Sequence, residues 1–390
     1  MSIVRNEASR LPRLLESLAP FRERGGEVVV LDTGSEDGTP EVARAAGCRV
    51  FVEARRFRGR LTALQASRLN AAFMKGGEGP FLRAGQPLFN FGDARAHAAS
   101  LAQNRFQFAV DGGDTVDAID VDALDAVVHS GAHSVGHFET RTQSPIGWHI
   151  GMREYFSDQR VMKWHGRSHQ YLKPRPGAAP GAPMRLTRQQ LLVSHHTDLD
   201  KPRDFQLAGM ALDALAQPDF PRPSFYLSRA LTVLGFHRSA MDLALSLDRS
   251  EVAASVRSAA LCFAARCVAF IGRPPDESEA LLFRAVLRDP TSRDPWLRLA
   301  TRAMAQGDMQ AAASLAQAAL AVPARATLSE PEENLGEFPH AILYWSLLWL
   351  GRKEEARGHY ERCLELDPGN ATYRGHAGLF GGTSLKGASS

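Results

Sequence analysis

The sequence predicts an α/β domain with a parallel sheet, followed by an all-α domain of repeated helical hairpins. Three observations carry this reading. Short apolar runs alternate with helix-spaced leucines and Gly/Asp/Ser turns in the first half of the chain, the order that lays helices over a parallel sheet. Near Phe205 the strand signals stop and Ala, Leu and Arg take over. Beyond that point glycine turns recur at Gly235, Gly272, Gly307 and Gly351, at separations of 37, 35 and 44 residues, and a period in this range marks stacked helix pairs.

Taken in order, Ser2 to Val4 is a very short first strand, and Leu11, Leu14, Leu15 and Leu18 space a helix over 9–18. Val28 to Leu31 is a buried-strand run, and Asp32 to Pro40 is turn chemistry ending in Thr39 as a helix cap with Pro40 at the first position. The helix continues to Ala46, Gly47 ends it, and Arg49 to Val52 is the next strand. Residues 53–88, rich in Gly and Arg with little periodicity, read as an insertion. A helix follows over 93–103, then a strand from Phe106 to Val110, with Asp111-Gly112-Gly113-Asp114 just past its carboxyl end. Residues 173–183 are a Pro/Gly loop, and 192–197 is a strand ending in a His pair. In the helical half, Ala240, Ala280, Ala312 and Ala356 fall in second helices, Asp289-Pro290 and Asp367-Pro368 close helices, and 322–337 is a loop that explains the longest separation. This is the pattern of tetratricopeptide-like repeats. The boundaries are 1–204 for the α/β domain, 205–375 for the repeats and 376–390 for a flexible tail.

Composition limits the partners. The chain has 390 residues, 44% hydrophobic and 23% charged, and a net charge of +3, which suits two domains and no whole-chain field for a polyanion. The charge is patterned locally: residues 51–100 carry eight basic and three acidic groups, and 101–150 carry two and seven. Cys48, Cys262, Cys267 and Cys363 form neither a disulfide framework nor a zinc-finger spacing. No signal peptide is read at the N-terminus, and the apolar run 341–350 is too short to cross a bilayer. A soluble, cytoplasmic protein without a transmembrane segment is expected.

The run Ile3-Val4-Arg5-Asn6-Glu7, the longer run Val29-Val30-Leu31-Asp32-Thr33-Gly34-Ser35-Glu36-Asp37-Gly38-Thr39 and the later Val110-Asp111 together resemble a family 2 glycosyltransferase with the Rossmann-like GT-A fold and C-terminal tetratricopeptide-like repeats. The resemblance covers about 1–52 and 88–200. It implies a nucleotide-sugar site drawn from Val4, Asn6, Glu7, Asp32, Arg95 and Asp111. At the carboxyl end of a parallel strand, Asp32 suits a base N–H or a ribose hydroxyl, and Arg95, in Ala94-Arg95-Ala96, suits phosphate oxygens. Relatives carry Asp-x-Asp after the strand ending here at Val110; Asp111 fits, Gly113 takes the second Asp position and Asp114 comes one residue later. The implied cofactor is a divalent metal, Mn2+ or Mg2+, on Asp111, Asp114 and one of His195 and His196, with His195 favoured.

Arg153, Phe156 and Gly166-Arg167-Ser168-His169-Gln170 resemble a further family stretch in which Gln170 replaces a Glu, so His169 and Glu139 are the catalytic-base candidates. The implied reaction moves a sugar from a nucleotide diphosphate sugar, UDP above all, to an acceptor with inversion. The acceptor stays open among peptide or protein, glycan, lipid-linked phosphate and modified DNA. For the polyanions, the arginines of 53–88 with Phe57, Phe73 and Phe81 offer a basic, aromatic strip, set against a plain solvated loop. The helical repeats would hold the acceptor or build a homo-oligomer. A transferase that has lost turnover and acts as a repeat scaffold is the reading from another class, fed by Gly113, Ala96 and Gln170.

Overall fold

The structure, a computed structural model, describes residues 1–144, 147–197, 204–324 and 330–380. The chain divides into two compact units, Met1–Val252 and Ala253–Ser390.

In the first unit, strands β1 (Ser2–Val4), β2 (Val29–Asp32) and β3 (Arg49–Val52) alternate with helices α1 (Leu11–Ser17), α2 (Ala19–Glu23) and α3 (Thr39–Ala45). The insertion contains β4 (Arg58–Arg60), α4 (Ala63–Phe73) and β5 (Pro87–Phe89). After α5 (Phe91–Leu101) come β6 (Phe106–Phe108), β7 (Val110–Asp111), β8 (Asp114–Ile119) and α6 (Val121–Ser130). Then follow β9 (His133–Ser144), β10 (Gly147–Asp158), β11 (Met162–His165), β12 (Tyr171–Pro174), β13 (Ala182–Arg185) and β14 (Leu191–His195). Helices α7 (Asp204–Ala216), α8 (Pro221–Val233) and α9 (His237–Arg249) complete the unit.

The expected parallel sheet is present, in the order β3-β2-β1-β7. Its strands are apolar on both faces because helices cover both. Val4 and Val30 pack with Leu11, Leu14 and Leu15 of α1, while Ile3 and Leu31 pack with Ala94 and Ala98 of α5. Successive residues of a strand face opposite sides, so one four-residue run serves both layers. Since β2 and β7 flank β1, the chain reverses its direction of strand addition beside β1, and a crevice opens at the carboxyl ends there.

A second sheet was not read from the sequence. It runs β10-β9-β14-β8, with β13 joining β9 and β6 joining β10. The antiparallel β9–β10 pair dominates it, and β14 lies parallel to β9 and antiparallel to β8. The expected single strand over 106–110 is split: β6 pairs with β10 in the second sheet and β7 with β1 in the first. Ala109 is the crossing point, its N–H bonded to the Tyr155 carbonyl at 2.8 Å.

Two local expectations are corrected. The insertion is ordered: Thr62 and Gln65 form a capping box at the start of α4, β4 pairs with β5, and Phe57 and Phe81 are buried while Phe73 is half-buried, so two of the three aromatics of the supposed polyanion strip are core. At α3 the cap is Gly38, in the left-handed region at φ +83°, and Thr39 already lies in the helix, its hydroxyl accepting from the Glu7 N–H at 2.8 Å.

Among the described residues the strands of the first unit end with β14; the texture change implies none beyond it, yet one two-residue strand, β15 (Glu330–Pro331), occurs in the second unit. The first compact unit nevertheless runs on to Val252, because α7 to α9 are built into it. Asp213 of α7 accepts from Arg167 at 2.6 Å, Gln217 accepts from the Tyr171 hydroxyl at 2.9 Å, and Glu78 of the insertion accepts from the first amides of α9.

The second unit is helical: α10 (Ala254–Phe270), α11 (Pro275–Arg288), α12 (Asp294–Ala305), α13 (Met309–Ala321), α14 (Glu332–Leu335), α15 (Phe338–Trp349), α16 (Lys353–Leu366) and α17 (Ala371–Gly375). Gly272, Gly307 and Gly351 have φ of +70°, +82° and +74° and turn α10 into α11, α12 into α13 and α15 into α16, conformations that favour glycine. Ala240, Ala312 and Ala356 fall in second helices as expected, each at the fourth position and buried. Ala280 is exposed. An extra residue before α11 shifts the register, and Ser278 takes the fourth position with its hydroxyl on the Ala265 carbonyl at 3.0 Å. Of the segment expected as a loop over 322–337, residues 325–329 lie outside the described residues; the rest includes β15 and α14, and Arg293 donates to the Val322 and Asn334 carbonyls. Residues 376–380, placed in the flexible tail, form a 3-10 turn whose Phe380 is buried and stacks on Tyr360 at 4.5 Å. The rest of that expected tail lies outside the described residues.

Candidate active site

The parallel register sets the geometry of the mouth. Val4 lies opposite Asp32 and Ile3 opposite Asp111, so the two carboxylates stand at the carboxyl ends of strands on either side of β1. Asn6 and Glu7 follow β1 directly, and Asn6 has a left-handed φ of +52°. Its N–H donates to Ser35 Oγ at 2.8 Å and its Oδ1 accepts from the Glu36 N–H at 2.9 Å. The two loops of the mouth are thereby laced together.

Asp32 itself is fully buried. Oδ1 accepts from the Gly34 and Ser35 N–H groups at 2.8 and 2.9 Å, and Oδ2 accepts from the Ser35 hydroxyl. Where a base or ribose contact was expected, the carboxylate is closed on its own turn, and it acts on the mouth by shaping that turn. The Val4 carbonyl is likewise taken, by the Thr33 N–H at 2.9 Å and the Thr33 hydroxyl at 3.1 Å.

Asp111 and Asp114 belong to different sheets, joined by the Gly112–Gly113 turn. His195 lies opposite Asp114 in the β8–β14 register, and its Nδ1 is 2.7 Å from Asp114 Oδ1. Asp111, Asp114 and His195 each offer a ligand atom, all within 4.8 Å of one another. Two carboxylates and an imidazole are the donor types for a Mn2+-like or Mg2+-like ion, so these residues fit the implied metal. His196 does not join them. The one-residue step along the strand turns it the other way, where Nε2 is 3.0 Å from Thr115 Oγ1 and the ring meets Trp148 edge to face.

The two glycines between the carboxylates lie close against neighbouring side chains. A Cβ at Gly113 would stand 2.8 Å from Cζ of Arg10, and one at Gly112 would stand 2.7 Å from Cγ of Glu7. Arg10 is fixed by the His196 carbonyl. The second carboxylate enters from 114. It is fully buried there, and Oδ2 accepts the Asp111 N–H at 2.8 Å.

Cations surround the pair. Arg95, almost completely buried, donates to Asp111 through Nη2 and to Gln170 Oε1 through Nε at 3.3 Å, and its guanidinium lies over Tyr155 and Trp164. Its Nη1 is buried and makes no hydrogen bond. Arg153 Nη1 is 3.3 Å from Asp114 Oδ2 and 3.8 Å from Asp111 Oδ2. Burial would raise the Asp111 pKa, but the fields of Arg95, then Arg153 and His195, outweigh it and lower the value to about 2. Arg153 is held strongly in its charged form: burial opposes the charge, and Asp114, Tyr155, Asp111 and Tyr226 more than offset that.

Of the two base candidates, Glu139 has its carboxylate engaged by arginines. It sits on β9 opposite Leu192, three rungs before His195, and its carboxylate is paired with Arg188 and, at 3.6 Å, with Arg185. His169 is near the site, since its neighbour Gln170 bonds Arg95, but its ring lies flat on Tyr226 with centroids 3.6 Å apart. Arg10, Tyr155 and Tyr226 carry no sequence signal for a place here; Arg10 and His196, 186 residues apart, meet only through the fold.

Comparison with known proteins bears on the first part of this mouth. Residues 2–69 match glycosyl transferase family 2. The family 2 match spans β1, β2 and the turn that holds Asp32, and it ends before Asp111. No curated protein matches the chain. Among solved structures the chain is similar to MamA, at 13% identity and a TM-score of 0.34 over 44% of this chain and 91% of that one. It is also similar to the Cut9–Hcn1 hetero-tetramer of APC/C, at 15% and 0.36 over 45% and 32%. A third likeness is to a thermophilic TPR protein of Thermus thermophilus, at 19% and 0.32 over 45% and 89%. Among the described residues no helix is long and apolar enough to cross a membrane.

Proposed function

We propose that the chain is an inverting glycosyltransferase that moves a sugar from a nucleotide diphosphate sugar, a UDP-sugar above all, to a nucleophilic acceptor. The observation that carries this is the Asp111–Asp114–His195 cluster at the crevice beside β1, on a chain whose first strands match family 2. The catalytic part is of GT-A type over 1–204, with helical repeats over 205–375. Asp111, Asp114 and His195 would hold a divalent cation, which supplies Lewis-acid neutralisation of the leaving diphosphate. Arg95 presents its unbonded buried Nη1 to a phosphate oxygen, and Arg153 adds a second fixed positive charge where negative charge grows. Asn6, Glu7 and the turn shaped by Asp32 line the side where the nucleoside enters. An acceptor hydroxyl attacks the anomeric carbon from the face opposite the diphosphate and gives up its proton to His169. The acceptor class stays open among peptide or protein, glycan, lipid-linked phosphate and modified DNA. Four buried free thiols support a reducing cytoplasm.

The test is incubation with UDP-glucose, UDP-GlcNAc and UDP-galactose plus MnCl2, following donor hydrolysis and melting temperature, with D114N alongside. A manganese-dependent response lost in D114N supports the reading, and no response to any of the three sinks it in favour of a binding scaffold. Gln170, in place of a family Glu, is the observation that favours the scaffold.

A further inference from the structure

Helix α8 lies beyond the strands, in the stretch whose sequence reads as repeats, yet it grips the loop that carries His169 and Gln170. Arg222 donates from Nε to the His169 carbonyl at 3.2 Å and from Nη2 to the Gln170 carbonyl at 3.4 Å. One turn on, the Tyr226 ring lies on the His169 ring with an interplanar angle of 4°. His169 has φ of +51°, a left-handed conformation that a non-glycine residue keeps only when its surroundings enforce it. The other side of the same loop is pinned by α5, whose Phe91 and Gly92 amides donate to the Arg167 and Gly166 carbonyls at 3.1 and 2.9 Å. A Cβ on Gly92 would fall 2.5 Å from the Gly166 carbonyl oxygen, so the loop cannot retreat in that direction.

The clamp leads to the cluster. The Gln170 side chain receives Arg95 Nε at 3.3 Å and the Tyr155 hydroxyl at 3.4 Å through the same Oε1, and Arg95 in turn bonds Asp111. A fixed backbone at 169–170 thus aims Gln170, Gln170 orients the guanidinium, and the guanidinium orients the carboxylate. We infer that Arg222 and Tyr226 are positioning residues for nucleotide-diphosphate binding: through the strained His169–Gln170 backbone they set Arg95 against Asp111. This rests on the proposed function for its ligand and not for its geometry. Groups that orient ligating side chains in this way change affinity by about tenfold or more when removed.

The experiment uses the full chain with R222M, R222K, Y226L and Y226F, titrated with UDP in the presence of MnCl2 by calorimetry, while NMR follows the His169 ring protons and the Arg95 Nε–H. R222M and Y226L are expected to weaken UDP binding about tenfold and to shift both sets of resonances. Y226F, which keeps the stack, should bind as the parent does, and R222K should fall in between. A merely structural role would lower the melting temperature of all variants without this rescue. Parent-like UDP affinity in R222M and Y226L overturns the inference. If the parent itself does not bind UDP with manganese, the proposed function fails and the resonances decide: an Arg95 Nε–H unmoved by R222M and Y226L overturns the positioning claim as well. Should R222M not fold, Y226L against Y226F carries the same comparison.

Discussion

Replacing Glu78 by Ala should loosen the insertion from α9 and cost the first unit about 2 kcal/mol. Helix α9 has no side-chain cap of its own. Its first amides are served from outside by Glu78, with Arg238 N–H on Oε1 at 2.8 Å, Ser239 N–H on Oε2 at 3.0 Å and the Ser239 hydroxyl on Oε2 at 2.5 Å. Loss of a cap typically costs about 1 kcal/mol, and a carboxylate at a helix N-terminus adds up to about 1 more. For a unit of this size that corresponds to a fall in melting temperature of roughly 4–8 °C. E78Q keeps an acceptor and loses the charge, so about half of that fall is expected. Burial pushes the Glu78 pKa up, but the Ser239 hydroxyl and the Arg238 and Ser239 amides outweigh it and lower the value. A lowered carboxyl contributes stability that is present above its unfolded value and lost as pH falls through the folded one. The difference between parent and E78A should therefore close in acid. Thermal unfolding at pH 7 and at pH values stepped down well below 4, with hydrogen exchange at the Arg238 and Ser239 amides, is the assay. An unchanged melting temperature together with unchanged protection of those two amides would refute the capping argument.

Restoring the family spacing with G113D should destabilise the fold by about 1–3 kcal/mol, because the new side chain meets the Arg10 guanidinium; R10A in the same chain should recover part of the loss in urea unfolding. H195A should abolish manganese-dependent UDP binding, whereas H196A should leave the ion bound and lose only the Thr115 and Trp148 contacts, a split that calorimetry reads directly. In the second unit His340 faces His359, Nδ1 to Nδ1 at 2.9 Å, and burial first, then the charges of His359, Arg362 and Arg293, lower its pKa to about 4. A lowered histidine favours the fold above about 6.5 and loses that contribution as pH drops toward 4, so urea midpoints should fall over that window and H340L should flatten the slope.

Local pattern made one half of the molecule readable. Val28 to Leu31, the Asp32 turn and the glycines at the hairpin turns each announce their conformation within a few residues, because strand burial, Asx turns and positive φ are local demands. The grouping of Asp111 and Asp114 with a histidine at the end of β14 is implied by the family resemblance and not by local pattern, since Asp114 and His195 are 81 residues apart. What pattern could not give was anything decided by partners far along the chain. Ala109 divides an apolar run between two sheets only because β10 and β1 lie on different sides of it. Phe57 looked exposed among arginines and is core because Ile3, Leu31 and Ala94 cover it. The Thr62–Gln65 capping box is a local signal set in a Gly- and Arg-rich stretch whose lack of periodicity hides it. The unit boundary after Val252 follows from ion pairs and caps between α7, α9 and the strand region, which no composition shift records.

If the cluster takes a dication and a diphosphate as proposed, its charge balance should couple the two. Asp111 and Asp114 already face Arg95 and Arg153, so a dication alone enters a pocket whose negative charge is spent. Two unit charges about 4 Å apart interact by ~4 kcal/mol at an effective dielectric near 20, so a guanidinium beside a bound dication would compete strongly with it. A diphosphate reverses the sign of the problem, because its oxygens take over the arginines and release the carboxylates. Manganese and UDP should therefore each tighten the other, by a coupling of about 1–3 kcal/mol. R153M separates the two parts of this argument: removing the guanidinium should tighten manganese alone by about tenfold and weaken UDP at saturating manganese by a similar factor. Manganese titrations followed by electron paramagnetic resonance, with and without UDP, measure both. If R153M binds manganese alone no better than the parent does, the arginine is not the competitor of the ion, and the coupling would have to come from elsewhere in the site.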